Sequence, residues 1–334
     1  MTSLSSYYFP RTLLTLLSLL FAAGLIFAPV KAQAQEPTEE EYKTLQEIIA
    51  ENDAVKKTDM IVKFLKEKPK HTYRQNLVAE FQKTIAELRK EKKWAQVISL
   101  CDKFIDVVPD DSYALAAMTE AFSQTGNTKG FATFAEKVYA TKPNAQLALA
   151  IAKAYRSLGN DGKFIQWGEK VLASDPENIE MLGEMTRRAL AAQNMPQAVK
   201  YAKMSLKALP NAQRDPGMDE ATWKNTVNTV YATAYGALGA YAYENKNYPE
   251  AIKYLDSAVK YFKRNDIAYY YLGMSYWQQN KLDAAMLNFA KAYLIKGAVS
   301  ASAKKYLEQL YASTHRNKLT GIERVIERAQ QDLK

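Results

Sequence analysis

The stretch "YYYLGMSYWQQNKLDAAMLNFAKAYLIKG", Tyr269 to Gly297, crowds five aromatics into its first nine residues (Tyr269, Tyr270, Tyr271, Tyr276 and Trp277). It then runs through small residues to a closing glycine, and nothing in it is arranged for catalysis. On a helix, side chains three and four positions apart share a face. Tyr269, Leu272, Gly273 and Tyr276 recur on one such face, which reads as core. Ile267, Tyr270, Met274 and Trp277 recur at steps of three, four and three and form a second face beside it.

The same order of residues occurs one unit earlier, in Tyr235, Leu238, Gly239, Ala242, Ala251 and Leu255. Further upstream the punctuation carries the period. Pro109, Pro143, Pro176 and Pro210 stand 34, 33 and 34 residues apart, each followed by Asp, Asn or Glu suited to opening a helix. No convincing alternation of strand type appears after Gln35, so the chain reads as helical throughout. Residues 145–178 offer Ala148, Ile151, Ala152, Tyr155 and Gly159, with Phe164 where a small residue is expected. Residues 179–212 offer Leu182, Met185, Ala189, Ala198 and Ala202, and residues 112–144 offer Leu115, Met118, Phe122 and Gly126, with Phe131 again in a small place. Phe81, Leu88 and Val97 mark a weaker unit at 78–111.

Tyr269-x-x-Leu272-Gly273-x-x-Tyr276 followed by Ala285-x-x-x-Phe289 resembles the tetratricopeptide repeat (TPR) pattern. A lone helix pair buries too little apolar surface to offset its ordering entropy, so neighbours must stack into a shared core. The expected fold is all-α, an α-solenoid of stacked helix-turn-helix repeats, and the resemblance implies a right-handed superhelix. The expected organisation is a signal peptide (1–34), an irregular helix pair (35–77), degenerate repeats (78–212), a joint with a helix extension (213–231), two well-formed repeats (232–299) and capping helices (300–334). "NAQRDPGMDE" (211–220) breaks the spacing, and a long helical pattern from about Glu220 to Asn245 follows it.

The resemblance also implies a concave groove that binds an extended or helical peptide. Tyr270, Met274 and Trp277 would line it, joined by Tyr243 from the preceding unit. Earlier units place Lys153, Arg156, Arg187, Arg89 and Lys90 on the same face, which would suit an acidic peptide or a free carboxylate. The competing readings are an aromatic stripe covered by the next helices and cations that simply line a solvated face. The clamp of Lys and Asn used by chaperone-binding members of the family is not visible.

At the N-terminus, Arg11, an apolar run and Ala32-Gln33-Ala34 form the pattern of a secretory signal peptide, with Gln35 the first mature residue; an uncleaved anchor is the alternative. Export to the periplasm or the extracellular space is therefore expected. Loss of Arg11 and Lys31 would lower the net charge from +9 to +7, a mild excess too diffuse to call for nucleic acid or an anionic membrane. Cys101, the single cysteine, makes no internal disulfide and reads as a buried small hydrophobe. With two histidines far apart, no zinc site assembles, and no phosphate loop or nucleophile elbow occurs. The expectation is a non-catalytic scaffold without cofactor or metal, binding a protein or peptide. The alternative is an all-helical hydrolase or carbohydrate-binding solenoid of the cell envelope.

Overall fold

The computed structural model describes residues 38–214 and 217–334, so the expected signal peptide and cleavage site lie outside the described residues, as do two positions of the 211–220 break. The described residues form sixteen α-helices and a single 3-10 turn, Leu209–Asn211, with no strand among them. They fall into two compact units, one ending at Trp167 and one beginning at Gly168.

The first unit contains α1 (Glu39–Ala50), α2 (Ala54–Glu67), α3 (Arg74–Lys90), α4 (Trp94–Ile105), α5 (Ser112–Gln124), α6 (Thr128–Thr141), α7 (Ala145–Ser157) and the start of α8 (Asp161–Ser174). The second contains the rest of α8, then α9 (Ile179–Ala191), α10 (Met195–Ala208), α11 (Glu220–Glu244), α12 (Tyr248–Tyr261), α13 (Asp266–Gln278), α14 (Leu282–Ile295), α15 (Ser300–Thr314) and α16 (Ile322–Asp332). Within each unit a helix packs chiefly on its next and next-but-one neighbours in sequence. That is the contact pattern of a one-dimensional helical repeat.

One turn, used six times, sets the period. Lys92, Gly126, Gly159, Gln193, Lys246 and Asn280 take left-handed backbone conformations between the two helices of a pair. In each case the next residue's N–H donates to a carbonyl five residues back, as Asn127 does to Phe122 (3.0 Å) and Lys281 to Tyr276 (2.9 Å). These bonds satisfy carbonyls left open at the helix end. The six residues stand 34, 33, 34, 53 and 34 positions apart, so the extra chain enters once, between Gln193 and Lys246. Between pairs the proline punctuation works as expected. Asp111, Asn144 and Asn178, each one or two residues beyond a proline, cap the following helix by accepting an N–H bond from its third residue. At Pro210 the chain instead makes the 3-10 turn, and α11 opens later, on Asp219.

Counting into the second helices shows what Phe131 and Phe164 do in places where a small residue is expected. Phe131, Phe164, Ala198, Ala251 and Ala285 are the fourth residues of α6, α8, α10, α12 and α14, all buried. The eighth residues are Ala135, Gly168, Ala202, Leu255 and Phe289. No register slips; bulk moves from one turn to the next. Where the eighth residue is large, the first helix supplies a glycine. A Cβ on Gly273 would stand 2.7 Å from the Phe289 ring, and one on Gly239 would stand 2.5 Å from Leu255. Cys101 is the eighth residue of α4, fully buried, and burial pushes its thiol up to about 12. It is a small hydrophobe, as expected.

At the start of the first unit, α1 buries only Leu45 and Ile48. Glu41 closes the capping box with Thr38, meets Lys68, and faces His71 Nε2 at 3.2 Å. The Tyr73 N–H donates to His71 Nδ1 (3.1 Å), which fixes the ring beside Glu41.

Candidate functional site

Helix α13 begins behind the Asn265 cap, whose side chain accepts from the Ala268 N–H at 3.0 Å. Its core face goes where the sequence pattern puts it: Tyr269, Leu272 and Gly273 are buried and Tyr276 is half-buried. The second face is half-buried at Tyr270, Met274 and Trp277 and opens at Ile267, which is 48% exposed.

The side chain that closes over this face comes from α15. Tyr306 places its ring 6.0 Å from Tyr270, 5.7 Å from Trp277 and 5.7 Å from Phe289. Met274 packs on the same cluster with Phe289, Leu307 and Leu310. In the other direction Tyr270 touches Tyr271 (5.7 Å), Tyr271 touches Tyr243 of α11 (5.4 Å), and Tyr243 touches Tyr248 (5.7 Å). A continuous chain of rings thus crosses three successive first helices, α11, α13 and α15, in edge-on and tilted contacts that aromatic quadrupoles favour. Burial, reinforced by Tyr306, pushes the Tyr270 hydroxyl up to about 12, so it stays a neutral hydrogen-bonding group at any physiological pH.

The expected site residues are therefore distributed unevenly. Tyr243, Tyr270, Met274 and Trp277 come together in the second unit. Arg187 also lies there, exposed on α9, with its guanidinium paired to Glu184 one turn earlier in the same helix. Lys153 (half-buried) and Arg156 (exposed) belong to α7 of the first unit. Arg89 does not project as a groove cation. Its Nε donates to Glu120 of α5 (2.9 Å) and its Nη1 to the Tyr113 hydroxyl (3.1 Å), so it ties neighbouring repeats together. Tyr306 and Tyr271 are members that the sequence reading missed. Tyr306 sits in a stretch read as a polar-faced cap, although its alternation with Leu307, Leu310 and Tyr311 carried the signal.

Among the described residues no group of three or more His, Cys, Asp or Glu is placed to hold a metal. No described helix is long and apolar enough to cross a membrane. What the face offers is rigid aromatic and apolar area with hydroxyl groups, the composition of a protein-contact surface.

Paired helices joined by one recurring left-handed turn, with glycine on the first helix opposite a ring on the second, define a helical-repeat protein. Residues 237–303, which hold Tyr243, Tyr271, Tyr270 and Trp277 of the ring chain and stop short of Tyr306, match the tetratricopeptide repeat family. Similar solved structures include MamA (21% identity, 55% of this chain and 94% of that one, TM-score 0.38). A TPR repeat-containing protein of Cytophaga hutchinsonii is also similar (15% identity, 75% and 93% covered, TM-score 0.41). So is a tetratricopeptide repeat protein of Parabacteroides merdae (13% identity, 86% and 99% covered, TM-score 0.36). No curated protein matches the chain.

Proposed function

We propose that this protein is an exported, non-catalytic scaffold that holds a partner protein or peptide on the first-helix face of its second unit, in cell-envelope assembly or organisation. The observation that carries the reading is the ring chain Tyr243–Tyr271–Tyr270–Tyr306–Trp277, which is half-buried yet opens at Ile267. Tyr and Trp give large contact area for little lost side-chain entropy, and such residues dominate interface energetics. The signal-peptide pattern supports export, and mass spectrometry of the mature protein tests it: a chain beginning at Gln35 is expected.

Partner binding is tested by affinity capture from an envelope extract, followed by calorimetry with the purified captured protein. Trp277→Ala also disturbs packing on Phe289 and Tyr306, so Ile267→Asp is the cleaner probe. A loss of tenfold or more in affinity is expected from Ile267→Asp with the fold unchanged, about 1.4 kcal/mol or more. Unchanged affinity moves the site elsewhere. An acidic partner is tested in the same assay with Arg187→Glu, in the second unit, which is expected to weaken binding more at low salt than at high salt.

A further inference from the structure

Helix α16 is lightly held. It has eleven residues and a single buried one, Ala329, and like α15 it opens without a side-chain cap. A helix of that length is unstable alone. It lies mainly on α14, where Ile322, Val325 and Ile326 rest against a cluster containing Met286, Phe289, Ala290, Leu310 and Tyr311. Leu333, just beyond its end, packs against the preceding cluster, which contains Tyr269 and Ala292. Ile322, Val325, Ile326, Ala329 and Leu333 form a single stripe at steps of three, one, three and four.

One polar contact fixes the register. Lys291 of α14 is 14% exposed and lies 5.5 Å from the Tyr269 ring, and its Nζ donates to Asp332 Oδ2 at 2.7 Å. Lys263 and Arg328 add positive charge around the same carboxylate. The connector from α15, residues 315–321, holds Arg316, Asn317 and Gly321 in left-handed conformations. Seven residues extended span about 23–25 Å, enough to carry α16 away from its own chain.

We propose that the seam between α14 and α15 is a helix-binding groove whose partner in trans is the C-terminal helix of a second copy of this chain. Two copies would then join by exchanging α16. The occupant is argued from α16 itself, which shows the required pattern: five apolar positions on one stripe and a carboxylate set for Lys291. Exchange keeps every contact that α16 makes at home and costs only the association of two chains, the thermodynamic basis of domain swapping. This interface does not rest on the partner face above, and either can fail alone.

The test uses charge reversal on full-length chains. Asp332→Lys sets two cations against each other at the latch, and Lys291→Glu sets two acids together. Each variant alone is expected to be monomeric by light scattering. Mixed in equal amounts at high concentration, they restore a Lys–Glu or Lys–Asp pair in both exchanged seams, and the mass is expected to double. The Asp332→Lys/Lys291→Glu double variant restores an opposite-charge pair both within one chain and across an exchanged seam, and is expected to match the wild-type chain, with doubled mass at high concentration. A mixture that stays at monomer mass, with both variants fully helical by circular dichroism, overturns the proposal. Should either variant lose helix, a labelled peptide of residues 319–334 is titrated into full-length Ile326→Asp, whose own α16 cannot seat. Saturable binding, weakened about tenfold by adding Lys291→Glu, supports the groove, and no binding overturns it.

Discussion

The α5–α6 pair and the α13–α14 pair solve one packing problem in opposite ways. In the first, the ring is the fourth residue of the second helix, Phe131, and the eighth is Ala135. In the second, the fourth residue is Ala285 and the ring is the eighth, Phe289. Gly273 makes room for Phe289; the corresponding place on α5 holds Thr119, buried, with its hydroxyl bonded to the Leu115 carbonyl at 2.8 Å. Interiors are close-packed, so what a repeat must conserve is volume shared between facing turns, not a residue at a position.

The largest test of this comparison is to delete each ring. Phe289→Ala and Phe131→Ala are each expected to cost about 3–5 kcal/mol in denaturant unfolding. Because the rings lie in different compact units, each substitution should lower the stability of its own unit most, read by hydrogen exchange along the chain. Uniform loss across both units would break the comparison by making the chain one cooperative block.

A second, smaller effect sharpens it. Gly273→Ala places a methyl against the Phe289 ring and is expected to cost about 1–3 kcal/mol. In a Phe289→Ala background the methyl has space, and the added cost should fall to less than half. Additivity of the two substitutions would show that the glycine is there for another reason.

The smallest effects are those of pH, and they separate the units by sign. Glu41, in the first unit, is lowered from 4.5 to about 2, chiefly by Lys68 and then by the Thr38 N–H. Its contribution is complete above pH 4.5 and is lost as pH falls toward 2. Tyr270, in the second unit, is raised from 10 to about 12 by burial and Tyr306. Its contribution is complete below pH 10 and is lost as pH rises toward 12. Acid should therefore loosen α1 first and alkali the ring chain, each followed by exchange or by phenolate absorbance. Loss of α1 protection in alkali before the tyrosines ionise would contradict this order.

Much of the fold was legible because its punctuation is chemical. Prolines with Asp or Asn beyond them, and glycine at the turns after α5 and α7, each force a local geometry, and the helices begin and end there. The long pattern from Glu220 is legible for the same reason: nothing in it breaks a helix until Asn245. The ring face was half legible. Tyr270, Met274 and Trp277 follow from periodicity alone, but Tyr306 reaches them from another helix, and a side chain's partner across a tertiary contact leaves no mark in its own segment. Arg89 shows the opposite failure. The sequence pattern places it among groove cations, while its commitment to Glu120 and Tyr113 depends on how α3 and α5 meet.

The buried thiol at Cys101 has a practical consequence. With its ionisation pushed far above neutrality and its sulfur enclosed, the native chain presents thiol-directed reagents with no accessible thiol. A cysteine placed at Ile267, or in the connector before α16, would then be the sole handle for a spin label, a dye or a cross-linker. Both interfaces argued above open to single-site spectroscopy without first rebuilding the interior.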